Sequence, residues 1–377
     1  MNMSDHSLLR LVKPAGAKSY THVGYPSSCH MQLVLPRDRA LAREAARFFM
    51  PARRRMIAFF RAIACRVRGG GQPDRYIATR MLDQLSKQGF DSHAAHAISV
   101  GTPGPYNKQS ILHFDRSKGR LLLSKFGCGP AVVNLLDNEA AWLSRLAEVD
   151  ELVGQVPRLV GSGKEDDCAW VTQTIALGHA PRSKFRRAQL DFLNILQKSV
   201  PQYPGADSLS MLSSMRRRLS DIGSKLAPRH VELLEEAIVG LEELLSTCDV
   251  PVVVAHRDFV PWNMRDVGGR LFVYDWEYAS NGYTPTYDAF HFCLMPIVLK
   301  RPLKVRDALQ TINTVVHAMT HMPGGNACVC QINRQFSAYL ADLCLFYLES
   351  NGGVVGSDKV VGRYLSLMEQ NDKWGAA

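Results

Sequence analysis

The chain has 377 residues, enough for two to three domains with a sizeable core. Apolar content of 46% and charged content of 21% are ordinary for a globular protein, and no apolar run reaches the roughly 18–20 residues that span a bilayer. A net charge of +10 with pI near 9.2 favours anionic partners and disfavours a polycationic ligand, which would want an acidic cleft.

The first 95 residues read as an N-terminal extension. Met1 to Tyr20 lacks an apolar segment followed by a small-residue cleavage site, so no signal peptide is expected and a cytoplasmic location follows. Ser4 to Pro36 has few periodic apolar positions and reads as irregular. Arg39 to Phe49 reads as helix, and Pro51 interrupts it or opens the next one. Over Arg53 to Arg68, Met56, Phe60, Ile63 and Val67 share one face while five arginines cover much of the rest. That basic amphipathic helix either touches an anionic membrane surface or packs on the following unit with a solvated arginine face; the second reading is favoured. Gly69-Gly70-Gly71 marks a linker, and a short helix around Arg75 to Gln88 follows.

Residues 96–177 read as a small β-rich unit. Ile98 to Val100 is a strand, followed by a turn containing Gly101 and Gly104 whose backbone N–H groups can approach a phosphate, although Pro103 and Pro105 remove two donors. Ile111 to Phe114 and Arg120 to Phe126 form two strands around Arg116 to Gly119, the second carrying Lys125. Asn138 to Leu146 is a helix with Glu139 near its start and Asp137 as a neighbouring carboxylate. Val156 to Gly161 and Cys168 to Gln173 are the last strands before Gly178 and Pro181.

Residues 178–377 read as mostly helical, with candidate helices over Arg187 to Val200, Ser208 to Leu226, Pro228 to Leu245, Val305 to His321, Gln331 to Glu349 and Val360 to Met368. Their Leu stripes are core packing, and His317, His321, Asp342 and Glu349 read as structural or solvated. The nine cysteines are dispersed, with only Cys328 and Cys330 close together at poor spacing for zinc; they read as reduced thiols. No zinc-finger, RNA-recognition or helix-turn-helix signature supports a nucleic-acid partner.

One stretch carries the chemistry. The apolar strand Val250 to Ala255 runs into His256-Arg257-Asp258-Phe259-Val260-Pro261-Trp262-Asn263, which fits H-R-D-x-x-x-x-N. Asp266-Val267-Gly268-Gly269 then reads as a hairpin turn that returns Leu271 to Asp275 beside Asn263. Phosphoryl transfer needs a base near the acceptor hydroxyl and hard oxygen ligands for Mg²⁺. Asp258 suits the first task; Asn263 and Asp275 suit the second.

His256 to Glu277, with "HRDFVPWN", "VYDWEYA" and then Pro285 and Asp288, resembles the aminoglycoside phosphotransferase and choline kinase superfamily. Within it, the similarity is greatest to bacterial phosphotransferases associated with surface polysaccharide synthesis. Small-molecule kinases of this kind usually carry Gly between the His and the Asp, where this chain has Arg257. The resemblance implies an α+β, bilobal protein-kinase-like fold: an antiparallel-sheet N-lobe over 96–177, a mainly helical C-lobe over 178–377, and a helical extension before them. It implies ATP and Mg²⁺ as cofactors and a small hydroxylated acceptor, with a sugar or sugar-lipid precursor favoured. Lys125 would hold the α- and β-phosphates, paired with Glu139, and the backbone at Gln173 to Ile175 would meet the adenine. His256 would support the loop, Arg257 would pair with a nearby carboxylate or an anionic acceptor, and Asp288 would brace the loop. His291 reads as packing, and Glu277 as fixing Asp275 or meeting a second metal. Two other readings stay open: a protein kinase, disfavoured by the roughly ten residues between Asp275 and Pro285, and an inactive nucleotide-binding scaffold, disfavoured because Asp258, Asn263 and Asp275 are all present.

Overall fold

The computed structural model describes residues 11–12, 20–24, 32–36, 38–49, 77–87, 89–90, 95–100, 106–115, 120–181, 184–200, 210–319 and 328–374. The chain divides into two compact units. One comprises Met1–Ala147 and Pro157–Leu177; the other comprises Glu148–Val156 and Gly178–Ala377. The basic helix expected over 53–68 and the glycines Gly101 and Gly104 lie outside the described residues.

The first unit contains β1 (Leu11–Val12), β2 (Tyr20–Gly24), β3 (Gln32–Pro36), α1 (Arg39–Phe49), β4 (Ile77–Ala78), α2 (Thr79–Lys87), β5 (Ala95–Val100), β6 (Gln109–Asp115), β7 (Arg120–Cys128), α3 (Pro130–Leu146), β8 (Leu159–Glu165) and β9 (Cys168–Thr174). Seven strands form one antiparallel sheet in the order β2-β3-β5-β6-β7-β9-β8, and β1 pairs with β4. The irregular reading of 4–36 is therefore corrected. Two five-residue strands lie there, and β3 reaches its partner β5 through the pairs Gln32↔Val100 and Val34↔Ile98. The stabilising partner is more than sixty residues away, so no local periodicity announces the strands.

The central strands are buried on both faces, and β7 is buried without a break from Leu122 to Gly127, polar Ser124 and Lys125 included. On one face Leu41, Ala42, Ala45 and Ala46 of α1 pack on Ala97, Leu112 and Phe114. Asp38 caps that helix, accepting from Ala40 N at 2.9 Å and Leu41 N at 3.0 Å. On the other face Leu85 of α2 packs with Phe90 and Leu122, above a buried polar line. There His96 Nδ1 meets His113 Nδ1 at 2.9 Å, His113 Nε2 meets Ser124 Oγ at 2.7 Å, and Ser124 Oγ meets Thr172 Oγ1 at 2.7 Å.

Only one of the two facing Nδ1 atoms can carry a proton, so the pair tolerates neutral rings and not two imidazolium ions. Burial, and secondarily His96, holds His113 well below the usual histidine range. A depressed histidine contributes stability that is complete above its unfolded value and declines as the pH falls below it. The thermal midpoint should therefore fall between pH 7 and pH 5, and His113→Gln should flatten that slope. Parallel slopes in the two proteins would refute the assignment. His256, also lowered by burial, keeps its own share of the slope in both.

Cys128 and Cys168, directly opposite on β7 and β9, are disulfide-bonded, as are Cys328 and Cys330. This corrects the reading of these four as reduced thiols. Cys128 and Cys168 are 40 residues apart in sequence, and only the strand pairing makes them neighbours.

The second unit contains α4 (Arg187–Ser199), α5 (Ser210–Ile222), α6 (Pro228–Thr247), β10 (Val253–Ala255), β11 (Met264–Val267), β12 (Arg270–Val273), β13 (Ser280–Tyr283), α7 (Tyr287–Val298), α8 (Val305–Met319), α9 (Val329–Ser350), α10 (Lys359–Met368) and α11 (Asn371–Trp374). Helix α9 is the buried spine: Ile332, Phe336, Tyr339, Leu340 and Leu345 are each 0% exposed, and it packs against α5, α6, α7, α8 and α10. Among the described residues, no helix is long and apolar enough to cross a membrane.

Candidate active site

In the first unit, β7 carries Lys125 and α3 carries Glu139. Lys125 Nζ donates to Glu139 Oε1 at 2.8 Å, with side-chain exposures of 9% and 0%. Gln173 Nε2 donates to the same oxygen at 3.2 Å. Two donors from neighbouring strands thus hold a carboxylate that would be costly to bury alone. Asp137, the competing carboxylate, pairs instead with Lys164 in a half-exposed contact. The side chain of Gln173 is itself part of this cluster, a role sequence reasoning missed because it considered only its backbone. Ile175 lies one residue past the β9 ladder, and its side chain packs on the α1 cluster.

In the second unit, β10 leads into the loop His256 to Asn263. Arg257 has φ +66°, a left-handed conformation that costs a non-glycine residue about 1–2 kcal/mol. The buried Asp288 carboxylate compensates by accepting His256 N at 2.7 Å and Arg257 N at 2.9 Å. His256 is fully buried against Trp276, ring centroids 4.6 Å apart. Its Nε2 donates to Tyr274 O at 3.2 Å and its Nδ1 accepts Asp258 N at 3.2 Å. Burial lowers its pKa despite nearby carboxylates, so the neutral ring with hydrogen on Nε2 persists at neutral pH. His256 organises the loop by these bonds.

Asp258 is 28% exposed at its side chain. Its Oδ2 accepts Asn263 Nδ2 at 2.7 Å, and its main-chain oxygen accepts the same nitrogen at 3.1 Å. Both amide hydrogens of Asn263 are thereby committed, which makes its carbonyl Oδ1 the atom available as a ligand. The β11–β12 hairpin closes through Gly268 and Gly269, both at positive φ as a two-residue type I′ turn requires. Its register, Met264↔Val273, sets Tyr274 N against Asn263 O at 3.1 Å, so Asp275 follows directly beside the loop. Asp275 has φ +77° and precedes a short 3₁₀ turn, Trp276–Tyr278, in which Glu277 is buried. An amide oxygen and a carboxylate are hard donors of the kind Mg²⁺ prefers, so this pair fits that ion.

The Arg257 side chain packs among aromatic and acidic neighbours. Its guanidinium stacks over Tyr283 at 4.9 Å and lies 3.9 Å from Asp342, which also takes Arg218 Nη1 at 3.0 Å and the Tyr287 hydroxyl at 2.7 Å. Of the two partners left open by the sequence, the structure supplies the carboxylate. His291 was read as packing and is buried at 2% exposure, yet its Nε2 lies 3.3 Å from Asp258 Oδ1. The available signal was its spacing: three residues after Asp288 on α7, it shares the helix face that meets the loop.

Solved structures of low identity share this fold. Choline kinase LicA from Streptococcus pneumoniae matches with a TM-score of 0.54 at 16% identity, covering 79% of this chain and 99% of its own. A thermostable mutant of aminoglycoside phosphotransferase APH(4)-Ia, in ternary complex with ADP and hygromycin B, matches with 0.53 at 14%, covering 78% and 97%. A putative fructosamine-3-kinase from Haemophilus somnus matches with 0.51 at 14%, covering 77% and 96%. Among curated proteins, none matches the sequence. The profile of the phosphotransferase enzyme family matches residues 107–314, more than half of the chain, and the chain belongs to that family.

Proposed function

We propose that the protein transfers the γ-phosphoryl group of ATP, with Mg²⁺, to a hydroxyl of a sugar or sugar-derived small molecule. The observation that carries this reading is Asp258, partly exposed, locked by Asn263 and followed through one hairpin by Asp275. In it, Asp258 orients the acceptor hydroxyl and takes its proton, Asn263 and Asp275 hold the metal, and Lys125, set by Glu139, holds the α- and β-phosphates. The metal supplies neutralisation of the charge that builds on the phosphates. The net charge of +10 favours a neutral or anionic acceptor over the polycationic aminoglycosides that some fold neighbours bind. The interval after Asp275 is filled by the 3₁₀ turn, β13 and the start of α7, which leaves no long activation segment and favours a small acceptor over a protein hydroxyl.

The test is an ADP-release screen with ATP and Mg²⁺ across sugars, sugar phosphates, amino alcohols and aminoglycosides. Turnover should appear with sugars or sugar phosphates, vanish on chelation, and fall at least about 100-fold in Lys125→Met. Turnover confined to aminoglycosides would overturn the acceptor class, and nucleotide binding without turnover on any acceptor would favour a scaffold.

A further inference from the structure

We propose that His291 and Tyr339 form a positioning pair that aims the Asp258 carboxylate at the acceptor hydroxyl. The proposal rests on the reading of Asp258 given above. A carboxylate held at one oxygen can still swing about its Cβ–Cγ bond. Asp258 is held at both: Oδ2 by Asn263 Nδ2 at 2.7 Å and Oδ1 by His291 Nε2 at 3.3 Å. An ionised carboxylate only accepts, so His291 carries its hydrogen on Nε2 and its Nδ1 is an acceptor. The Tyr339 hydroxyl lies 3.3 Å from that Nδ1, and the Tyr364 hydroxyl 3.3 Å from Tyr339. One direction of donation satisfies the whole chain: Tyr364 to Tyr339, Tyr339 to His291, His291 to Asp258. His291 is 2% exposed and both tyrosines are 0% exposed, and burial keeps the phenols protonated and able to donate.

The support is rigid. Helix α7 grips the loop backbone through Asp288 and, one turn later, the carboxylate through His291. Tyr339 stands on the spine helix α9 and Tyr364 on α10. Any buried histidine needs partners at both ring nitrogens; His291 differs in that its Nε2 partner is the partly exposed Asp258 carboxylate and not a core group. Here each ring nitrogen has the partner that fixes one tautomer, the arrangement by which a second residue orients a reacting group.

The test uses the full chain, the acceptor with the highest turnover in the screen, and four variants: His291→Phe, His291→Gln, Tyr339→Phe and Asp258→Asn. His291→Phe should lower kcat about 10- to 100-fold, the scale of a misaimed reacting group, with KM for ATP unchanged. His291→Gln, which keeps a donor near the Nε2 position, should recover kcat to within about threefold of the parent. Tyr339→Phe removes one hydroxyl from an otherwise intact site and should cost about 3- to 10-fold in kcat; it carries the test if His291→Phe does not fold. If His291→Phe or Tyr339→Phe keeps kcat within twofold while Asp258→Asn is inactive, the positioning role is overturned and the reading of Asp258 stands. If Asp258→Asn remains active, that reading fails and this proposal with it.

Discussion

Asp258→Asn should reduce turnover by about 10³-fold or more while moving the thermal midpoint by no more than about 2 °C. The substitution keeps size and shape and removes the negative charge that accepts a proton. The neighbours can absorb it. The amide oxygen continues to accept Asn263 Nδ2, and the new NH₂ faces His291, whose ring turns to its other tautomer and donates from Nδ1 to Tyr339. The site is 28% exposed, so no large desolvation term changes. Calorimetry and steady-state kinetics on the same preparation check both halves. Residual activity together with a large loss of stability would count against a base role.

Asp288→Ala should cost both stability and activity. Asp288 is 1% exposed, and its two oxygens take the main-chain N–H groups of His256 and Arg257. Removing it strands two buried donors at about 1–3 kcal/mol each, and takes away the contact that holds Arg257 in the left-handed region. A total of roughly 2–6 kcal/mol corresponds to a fall of about 5–20 °C in the midpoint for a unit of this size. The loop that presents Asp258 is released at the same time, so turnover should drop by at least about 100-fold even well below the melting range. Asp288→Asn keeps one acceptor and should fall between the two. A midpoint unchanged in the Ala variant would show that the two N–H groups find other partners.

What could be read in advance was local. Asp258, Asn263 and Asp275 lie within 18 residues of one another in a strand, loop and hairpin whose turn chemistry is written in Gly268 and Gly269. The Lys125 strand and the Glu139 helix follow from an apolar run and a helical period. What escaped was set by distance or by uniform burial. Helix α7 is buried on nearly every side, with Phe290, Phe292 and Leu294 all at 0% exposure, so it carries no amphipathic period and only Asp288 hinted at it. The inward fate of Arg257 depends on Asp342, 85 positions later, and the partner of His291 depends on how α7 meets the loop. The β2–β3 strands and the Cys128–Cys168 bond likewise exist only once the sheet order is known.

That sheet order changes what β2, β3 and α1 are for. Were the chain begun at residue 70, Ala95–Val100 would become a bare rim, its ladder with β3 gone, and the patch formed by Ala97, Leu112 and Phe114 would lose the helix that shields it from water. An unpaired rim beside an uncovered greasy patch is a template for sticking to another copy. Strand β3 and helix α1 therefore work as a selvedge, the finished border that keeps the woven part from unravelling into its neighbours.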